Sequence, residues 1–425
     1  MKSFQAGLLA SLLFQFIGLV PAAWGQEMPL AAPEEVGLSS QKLARITPAL
    51  QALVDEHKIA GTITLVARRG KVVYFETAGM RDIDAHKPMQ KDTICRIYSM
   101  TKPVASTAVM MLYDEGKLVL DDPASKYLPE FKGLKVFVKS TADGQELAEP
   151  NREMTVRDLL RHTSGLTYGL FGVTPVDQMY NKAGVLKPTQ TLQEMTSKLG
   201  EIPLLYQPGT RWNYSLSVDV LGRIVEVVSG KPLDEFIDER ICRPLDMHDT
   251  GFFVPQEKLD RLAASYGPKA GGGLAVIDAP ATSSYRSRPA FISGGGGLVS
   301  TARDYARFCQ MFVNGGELYG KRLLKQETVE LMTRNHLPES AIPIAFGPIK
   351  LNGVGFGLGF SVRVQNTLFV PARALGEYGW SGAASTHFWI APHDELLVIA
   401  LQQYMPFSPV LEMTVKPLVY DAVTD

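Results

Sequence analysis

The sequence predicts an α/β fold in which one sheet is assembled from both ends of the chain and carries an inserted, mainly helical lobe. Three observations support this prediction. Near the amino end, residues 61–67 and 72–77 alternate in polarity around a turn, which is typical of a hairpin. From residue 99 to about 343 the apolar spacing is mostly helical. Strand-like segments then return at residues 357–364, 387–390 and 396–402.

The helical segments carry apolar residues at intervals of three and four. In chain order they are residues 43–54, 104–113, 156–161, 191–199, 217–228, 233–240, 302–312, 327–332 and 410–423. We therefore expect a single domain over residues 26–425. Its α/β lobe takes about residues 26–98 and 344–425, and its helical lobe takes about residues 99–343. A cleft between two such lobes is a common place for a binding site.

The first 25 residues have the features of a signal peptide. Lys2 gives a positive start, residues 6–20 are apolar, and Ala23-Trp24-Gly25 is a small-x-small cleavage site. The apolar run is short for a spanning helix, and no cysteine follows it for a lipid anchor. We expect export to a periplasm or to the medium, with no stable membrane anchor.

Composition excludes several classes of function. With 43 basic and 44 acidic residues, the net charge of −1 gives no electrostatic case for nucleic acid. The three cysteines, Cys95, Cys242 and Cys309, form no Cys-x-x-Cys and are typical of buried thiols. Whether two of them pair in a disulfide is left open. The seven histidines form no His-Glu-x-x-His, so no metal or other cofactor is expected. The oligomeric state is left open.

A hydroxyl and an amine stand three residues apart at Ser99 and Lys102, where an extended segment gives way to a helical one. Three residues is almost one helical turn, so the amine can take or relay the proton of the hydroxyl. The same spacing at Ser39 and Lys42 precedes an amphipathic helix and is typical of an N-cap. Capping is an alternative at Ser99 too. What favours chemistry there is the uncharged segment 104–113, which predicts a buried helix.

Two further segments are candidates for the same site. Tyr214 precedes the predicted helix 217–228, where a core aromatic is the ordinary interpretation. A lysine ammonium nearby would instead ease loss of the phenol proton and let Tyr214 act as a base. Residues 379–384 read Gly-Trp-Ser-Gly-Ala-Ala, and their small side chains allow a main-chain N–H to join that of Ser99 in an oxyanion hole. A glycine-rich turn before a strand is the alternative.

Taken together, these segments resemble the serine β-lactamase and penicillin-binding-protein superfamily, specifically its class C-like branch and the family VIII carboxylesterases. The resemblance begins with residues 96–103, Arg-Ile-Tyr-Ser-Met-Thr-Lys-Pro, which are similar to the esterase form of the first motif. Residues 157–165, 244–250 and 295–301 also resemble family segments. The resemblance covers most of the chain after residue 25.

The resemblance implies a β-lactamase/transpeptidase-like fold with an antiparallel sheet, flanking helices and a helical lobe. It makes Ser99 the acylated nucleophile, Lys102 its proton partner and Tyr214 the general base. The backbone N–H groups of Ser99 and Ala383 would form the oxyanion hole.

Two departures from the family pattern shape the predicted substrate. Leu216 stands where the family has the asparagine of Tyr-x-Asn, and Trp380 stands for the lysine of Lys-Thr-Gly, followed by Ser381 and Gly382. An amide that contacts β-lactam side chains and a cation that holds a substrate carboxylate are therefore missing. We expect these four residues to contact a neutral substrate through apolar groups.

The sequence thus predicts a serine carboxylesterase that hydrolyses short-chain esters of small molecules through an acyl-enzyme, with at most weak β-lactam hydrolysis. The alternatives are a class C-like β-lactamase or D-amino-acid peptidase, an acyltransferase, and a non-catalytic binding protein on this fold. The physiological ester cannot be read from the residues.

Overall fold

The structure is a computed structural model that describes residues 27–142, 144–170, 172–346, 349–367 and 370–425. The predicted signal peptide lies outside these ranges. No helix within them is both long and apolar enough to cross a membrane.

The described residues form one large antiparallel sheet of eight strands. Its strands are β1 (Gly61–Arg68), β2 (Lys71–Asp82), β3 (Lys87–Pro88), β4 (Val354–Phe356), β5 (Ser361–Arg363), β6 (Tyr378–Gly382), β7 (Thr386–Ala391) and β8 (Leu396–Gln402). Their spatial order is β4-β5-β6-β7-β8-β1-β2-β3. The two chain ends join where β1 pairs with β8, with Thr62 opposite Gln402. The predicted assembly of one sheet from both ends is confirmed.

Strand β1 lies at the centre of the molecule, and all eight of its residues are buried. Ile63 and Leu65 pack into the large core shared with the helical lobe, whereas Val66 packs into a second core on the other face. Alternate side chains of a strand point to opposite faces, so a strand covered on both faces is buried at every position. This explains why Thr62, Thr64 and Arg68 are buried together with the apolar residues of β1.

Helices cover both faces of the sheet. They are α1 (Ser40–Leu43), α2 (Ile46–Asp55), α3 (Thr101–Asp114), α4 (Val156–Leu160), α5 (Pro175–Ala183), α6 (Leu192–Leu199), α7 (Ser217–Ser229), α8 (Leu233–Ile237), α9 (Ala302–Val313), α10 (Gln326–Thr333) and α11 (Val410–Ala422). Helices α2 and α11 supply the second core, α9 lies against β1 and β8, and α3 packs against α7. The site described below lies at the first turn of α3.

Short strand pairs complete the fold outside the main sheet. They are Cys95–Arg96 with Val299–Ser300, Val136–Thr141 with Gly144–Ala148, Ser265–Pro268 with Leu274–Asp278, Glu317–Leu318 with Lys321–Arg322, and Ala345–Phe346 with Ile349–Lys350. These pairs were not predicted from the sequence, because most lie in segments with polar, exposed or mixed residues that give little periodicity.

Several predicted boundaries need correction. The first predicted helix is two helices that break between residues 43 and 46, although Ser39 does cap the first of them as predicted. The segment 357–364 is not one strand, because Gly357 N–H donates to the Phe360 carbonyl and separates β4 from β5. The helix predicted at residues 233–240 ends at Ile237 and continues as a π-helical turn.

Candidate active site

Ser99 lies in a tight turn between a short strand and helix α3. The turn is a 3-10 helix, Tyr98–Met100, that directly follows the Cys95–Arg96 strand. Tyr98 has a φ of 41°, which is strained for a bulky residue and is seen most often at functional sites. Ser99 itself is partly exposed. The turn therefore holds a solvent-accessible hydroxyl at the start of a buried helix.

Lys102 is the most unusual residue of that helix. Residues 101–112 of α3 are all buried, as predicted, and Lys102 is only 1% exposed. Its Nζ donates to Ser99 Oγ at 3.2 Å and to the Gly295 carbonyl at 2.7 Å. Burying an ammonium is costly unless its hydrogens find acceptors. The nucleophile candidate and the loop at residue 295 supply two of them.

Tyr214 approaches the same hydroxyl from the segment before α7. Its Oη lies 2.7 Å from Ser99 Oγ, and its ring centroid lies 4.5 Å from Lys102 Nζ. A phenol can donate or accept, so the shared proton can sit on either oxygen. The structure thus brings together the alcohol, the ammonium and the phenol that the sequence analysis selected from distant positions.

Trp380 joins this group from strand β6. Its Nε1–H donates to Tyr214 Oη at 3.4 Å, so an indole occupies the position expected for the missing lysine. It provides a hydrogen-bond donor without a full charge. Tyr168, Trp212 and Phe346 also pack around the Tyr214 ring, with centroid distances of 5.4, 6.1 and 5.0 Å. The phenol is therefore enclosed largely by aromatic surface.

Burial and charge shift several pKa values around the site. Burial raises the pKa of Tyr168 well above its usual value, and the charges at Asp219 and Tyr214 add to the rise. Burial and the nearby Lys102 ammonium lower the pKa of His162 well below its usual range. His162 is therefore neutral at pH 7, and its ring packs against Tyr214 at 5.0 Å.

Two of the predicted substrate-binding side chains have other neighbours in this structure, and their contact with a substrate stays a prediction. Leu216, at the N-cap position of α7, is 0% exposed and packs in the large core. Ser381 Oγ lies 3.0 Å from His387 Nδ1 on the sheet face opposite Trp380, because neighbouring strand residues alternate between faces.

Gly382 and Ala383 follow Ser381 at the end of β6. A Cβ on Gly382 would lie 2.2 Å from the Ile97 carbonyl, so this glycine allows β6 to approach the Ser99 turn rather than a substrate to approach the backbone. Ala383 is the first residue after β6. Its role as an oxyanion donor stays a prediction.

Two parts of the site, Asp219 and Phe346, were not predicted from the sequence. Asp219 accepts from the backbone N–H of Gly295, whose carbonyl holds Lys102. An aspartate in the first turn of a helix reads as an ordinary helix-start residue, so it gave no signal. Phe346 lies in the short strand pair Ala345–Phe346 and Ile349–Lys350, which was not predicted from the sequence. The loop at Gly295 itself lies in residues 295–301, which resemble a family segment.

Chemically, the arrangement can activate an alcohol. Ser99 is within hydrogen-bond distance of one nitrogen and one oxygen that can exchange its proton, which is the arrangement required of a serine nucleophile. Within the described ranges, no three His, Cys, Asp or Glu side chains are grouped as a metal ion would require.

This fold and this serine, lysine and tyrosine site define the β-lactamase/penicillin-binding-protein-like class. The sequence profile of the Beta-lactamase family matches residues 46–414. The chain belongs to the Beta-lactamase family. The fold class and the family resemblance predicted from the sequence are both confirmed.

Three similar proteins illustrate the range of relatives. Protein Rv1367c of Mycobacterium tuberculosis is 37% identical over 364 residues, which are 84% of this chain and 89% of that protein. Esterase EstB of Burkholderia gladioli is 33% identical over 418 residues, with 91% and 98% covered. The structure of EstCE1, a hydrolase with promiscuous acyltransferase activity, is 29% identical, with a TM-score of 0.75 and coverage of 89% of this chain and 99% of EstCE1.

Proposed function

We propose that this protein is a serine carboxylesterase that hydrolyses neutral, short-chain esters of small molecules. The observation that carries the proposal is the contact of Ser99 Oγ with both Lys102 Nζ and Tyr214 Oη beside an indole at the expected lysine position. The similarity to EstB and EstCE1, an esterase and a hydrolase, supports it.

The proposed reaction has two steps. Ser99 Oγ attacks the ester carbonyl as its proton moves to the Tyr214 and Lys102 pair, and backbone N–H groups of Ser99 and Ala383 stabilise the oxyanion. The pair then protonates the departing alcohol, which leaves an acyl-enzyme. A water molecule gives a proton to the same pair and attacks the acyl carbonyl, and the carboxylic acid is released with Ser99 restored.

The aromatic surroundings favour a neutral substrate. Trp380 is only 8% exposed and carries no charge, so it cannot pair with a substrate carboxylate. Apolar acyl groups can instead pack against Trp380 and Phe346, whose rings lie 5.9 Å apart. A β-lactamase or D-amino-acid peptidase acts on an anionic substrate and is correspondingly disfavoured.

Hydrolysis of p-nitrophenyl butyrate tests the proposal. We expect Ser99→Ala to lose roughly a thousandfold or more in kcat/KM, because the residual rate lacks the nucleophile. Ser39→Ala removes the serine of the other Ser-x-x-Lys sequence, which caps α1, and should leave kcat/KM unchanged. Retained activity in Ser99→Ala would end the proposal, and a selective loss in Ser381→Ala would move the nucleophile to residue 381.

Acyl transfer to an alcohol is a second candidate function. The similarity to EstCE1 favours it, since that hydrolase has promiscuous acyltransferase activity. The same acyl-enzyme would then react with an alcohol oxygen in place of water. Product analysis with a small alcohol present separates the two: a new ester indicates transfer, and free acid alone indicates hydrolysis only.

A further inference from the structure

Behind Lys102 lies a buried carboxylate that the proposed reaction does not use directly. Asp219 occupies the first turn of α7 and is 0% exposed. Its Oδ1 accepts from Ser293 Oγ at 2.6 Å and from Gly295 N–H at 3.0 Å. Its Oδ2 is buried and has no hydrogen-bond partner among the described residues. A buried, half-satisfied carboxylate is costly and calls for an explanation.

The loop at Gly295 links this carboxylate to the catalytic ammonium. Gly295 donates its N–H to Asp219 and offers its carbonyl to Lys102 Nζ at 2.7 Å. A Cβ at this glycine would lie 2.4 Å from Asp219 Oδ2, so only glycine allows the loop so close to the carboxylate. Asp219 therefore fixes the position of the carbonyl that orients Lys102.

The negative charge of Asp219 also acts directly on the Lys102 ammonium. Burial raises its pKa, but the Lys102 ammonium and the two hydrogen bonds to Oδ1 favour the ionised form, as does the positive end of the helix dipole. The titratable groups that face it are Lys102 from α3 and Tyr168 from the segment before α5; Tyr214 adjoins both of them. The Asp219 carboxylate and the Lys102 ammonium therefore attract each other across the Gly295 loop.

We propose that Asp219 is a positioning residue that keeps Lys102 protonated beside Tyr214 and so sets the pH range in which Ser99 can be acylated. This inference rests on the proposed function. Asp219 acts on Lys102 through its negative charge as well as through the position of the Gly295 carbonyl. This distinguishes it from a residue with a purely structural role.

The test compares Asp219→Asn with Ser293→Ala in pH profiles of kcat/KM for p-nitrophenyl butyrate. The asparagine keeps the shape and removes the charge, so Lys102 and Tyr214 both lose protons more easily. The acid limb, which reports Tyr214 as the base, and the alkaline limb, which reports Lys102, should each move down by about one pH unit. Ser293→Ala removes one hydrogen bond but keeps the charge, and both limbs should stay in place.

Unmoved limbs in a folded Asp219→Asn protein would overturn the inference, whatever the loss of rate. If that variant fails to fold by circular dichroism, Asp219→Ala serves in its place with the same expected shift. The rate of Ser99 phosphonylation by a fluorophosphonate, measured across the same pH range, depends on the protonation of the site but requires no ester turnover. An enzyme that is phosphonylated but hydrolyses no ester would contradict only the proposed function, whereas an unchanged pH dependence of phosphonylation in Asp219→Asn would contradict only this inference.

Discussion

At the scale of single residues, Trp380 has the largest effect on the electrostatics of the site, because the resemblance to the family motif implies a lysine at this position. The indole N–H donates to Tyr214 Oη at 3.4 Å, so the phenol has a donor that carries no full charge. The lost charge removes the partner for a substrate carboxylate. Substrate class should therefore depend on this one side chain more than on the nucleophile.

We predict that Trp380→Lys raises the ratio of nitrocefin to p-nitrophenyl butyrate turnover about tenfold, since a charge-assisted pair contributes roughly 1.5–3 kcal/mol. Steady-state kcat/KM values for both substrates measure it. Trp380→Phe is the matched control, because it removes the N–H without adding charge and should leave the ratio near the wild-type value. Equal losses of kcat/KM on both substrates in Trp380→Lys would contradict the assignment of Trp380 as the residue that determines substrate class.

At the scale of elements, helix α11 supports strand β6 through a buried ionic network. Lys416 Nζ lies 2.7 Å from Glu377, the residue before β6, and 2.6 Å from Glu412. Glu412 in turn lies 3.2 Å from His387 Nδ1, which also contacts Ser381 within β6. Both ends of the strand that carries Trp380 are thus tied to α11.

Replacing Lys416 with methionine should lower the free energy of unfolding by about 3 kcal/mol, because the buried Glu377 and the partly buried Glu412 would both lose this cation. Urea unfolding measures the change. Lys42→Met is the control: Lys42 of α1 pairs with Asp421 of α11, and this exposed pair should contribute less than about 1 kcal/mol. Similar losses in the two variants would show that the network does not stabilise β6.

The elements also show what the sequence could and could not reveal. Strand β8 matches its predicted range because its first six residues are all apolar, and α3 was predicted as buried from the uncharged segment 104–113. The network at α11 had no such signal, because Glu377, His387 and Lys416 come from three separate segments. The burial of Leu216 had no signal either, since its place in the family-like motif does not give the direction of its side chain.

At the scale of the whole molecule, Asp158 should link the stability of the fold to pH. It is fully buried in the first turn of α4 and accepts from Arg152, Arg161, Thr155 and Thr163. Burial alone would raise its pKa, but these hydrogen bonds and the Arg152 charge lower it to about 2. A carboxyl whose pKa is lower in the folded state stabilises the fold above its unfolded value of about 3.9.

We predict that Asp158 contributes roughly 2 kcal/mol to the free energy of unfolding at pH 7, and that this contribution is lost as the pH falls from about 4 to about 2. Urea unfolding of the wild type and of Asp158→Asn at pH 7 and at pH 3 checks it. The difference in free energy of unfolding between the two proteins should narrow at the lower pH. A difference that does not change with pH would show that Asp158 acts through shape alone.

The central claim is that Ser99 is the nucleophile of a site completed by Lys102 and Tyr214. Its most direct test is to treat the protein with a fluorophosphonate and locate the adduct by peptide mass spectrometry. The account predicts one adduct on the peptide that contains Ser99 and none in Ser99→Ala. An adduct on Ser381, or an unmodified wild-type protein, would contradict it.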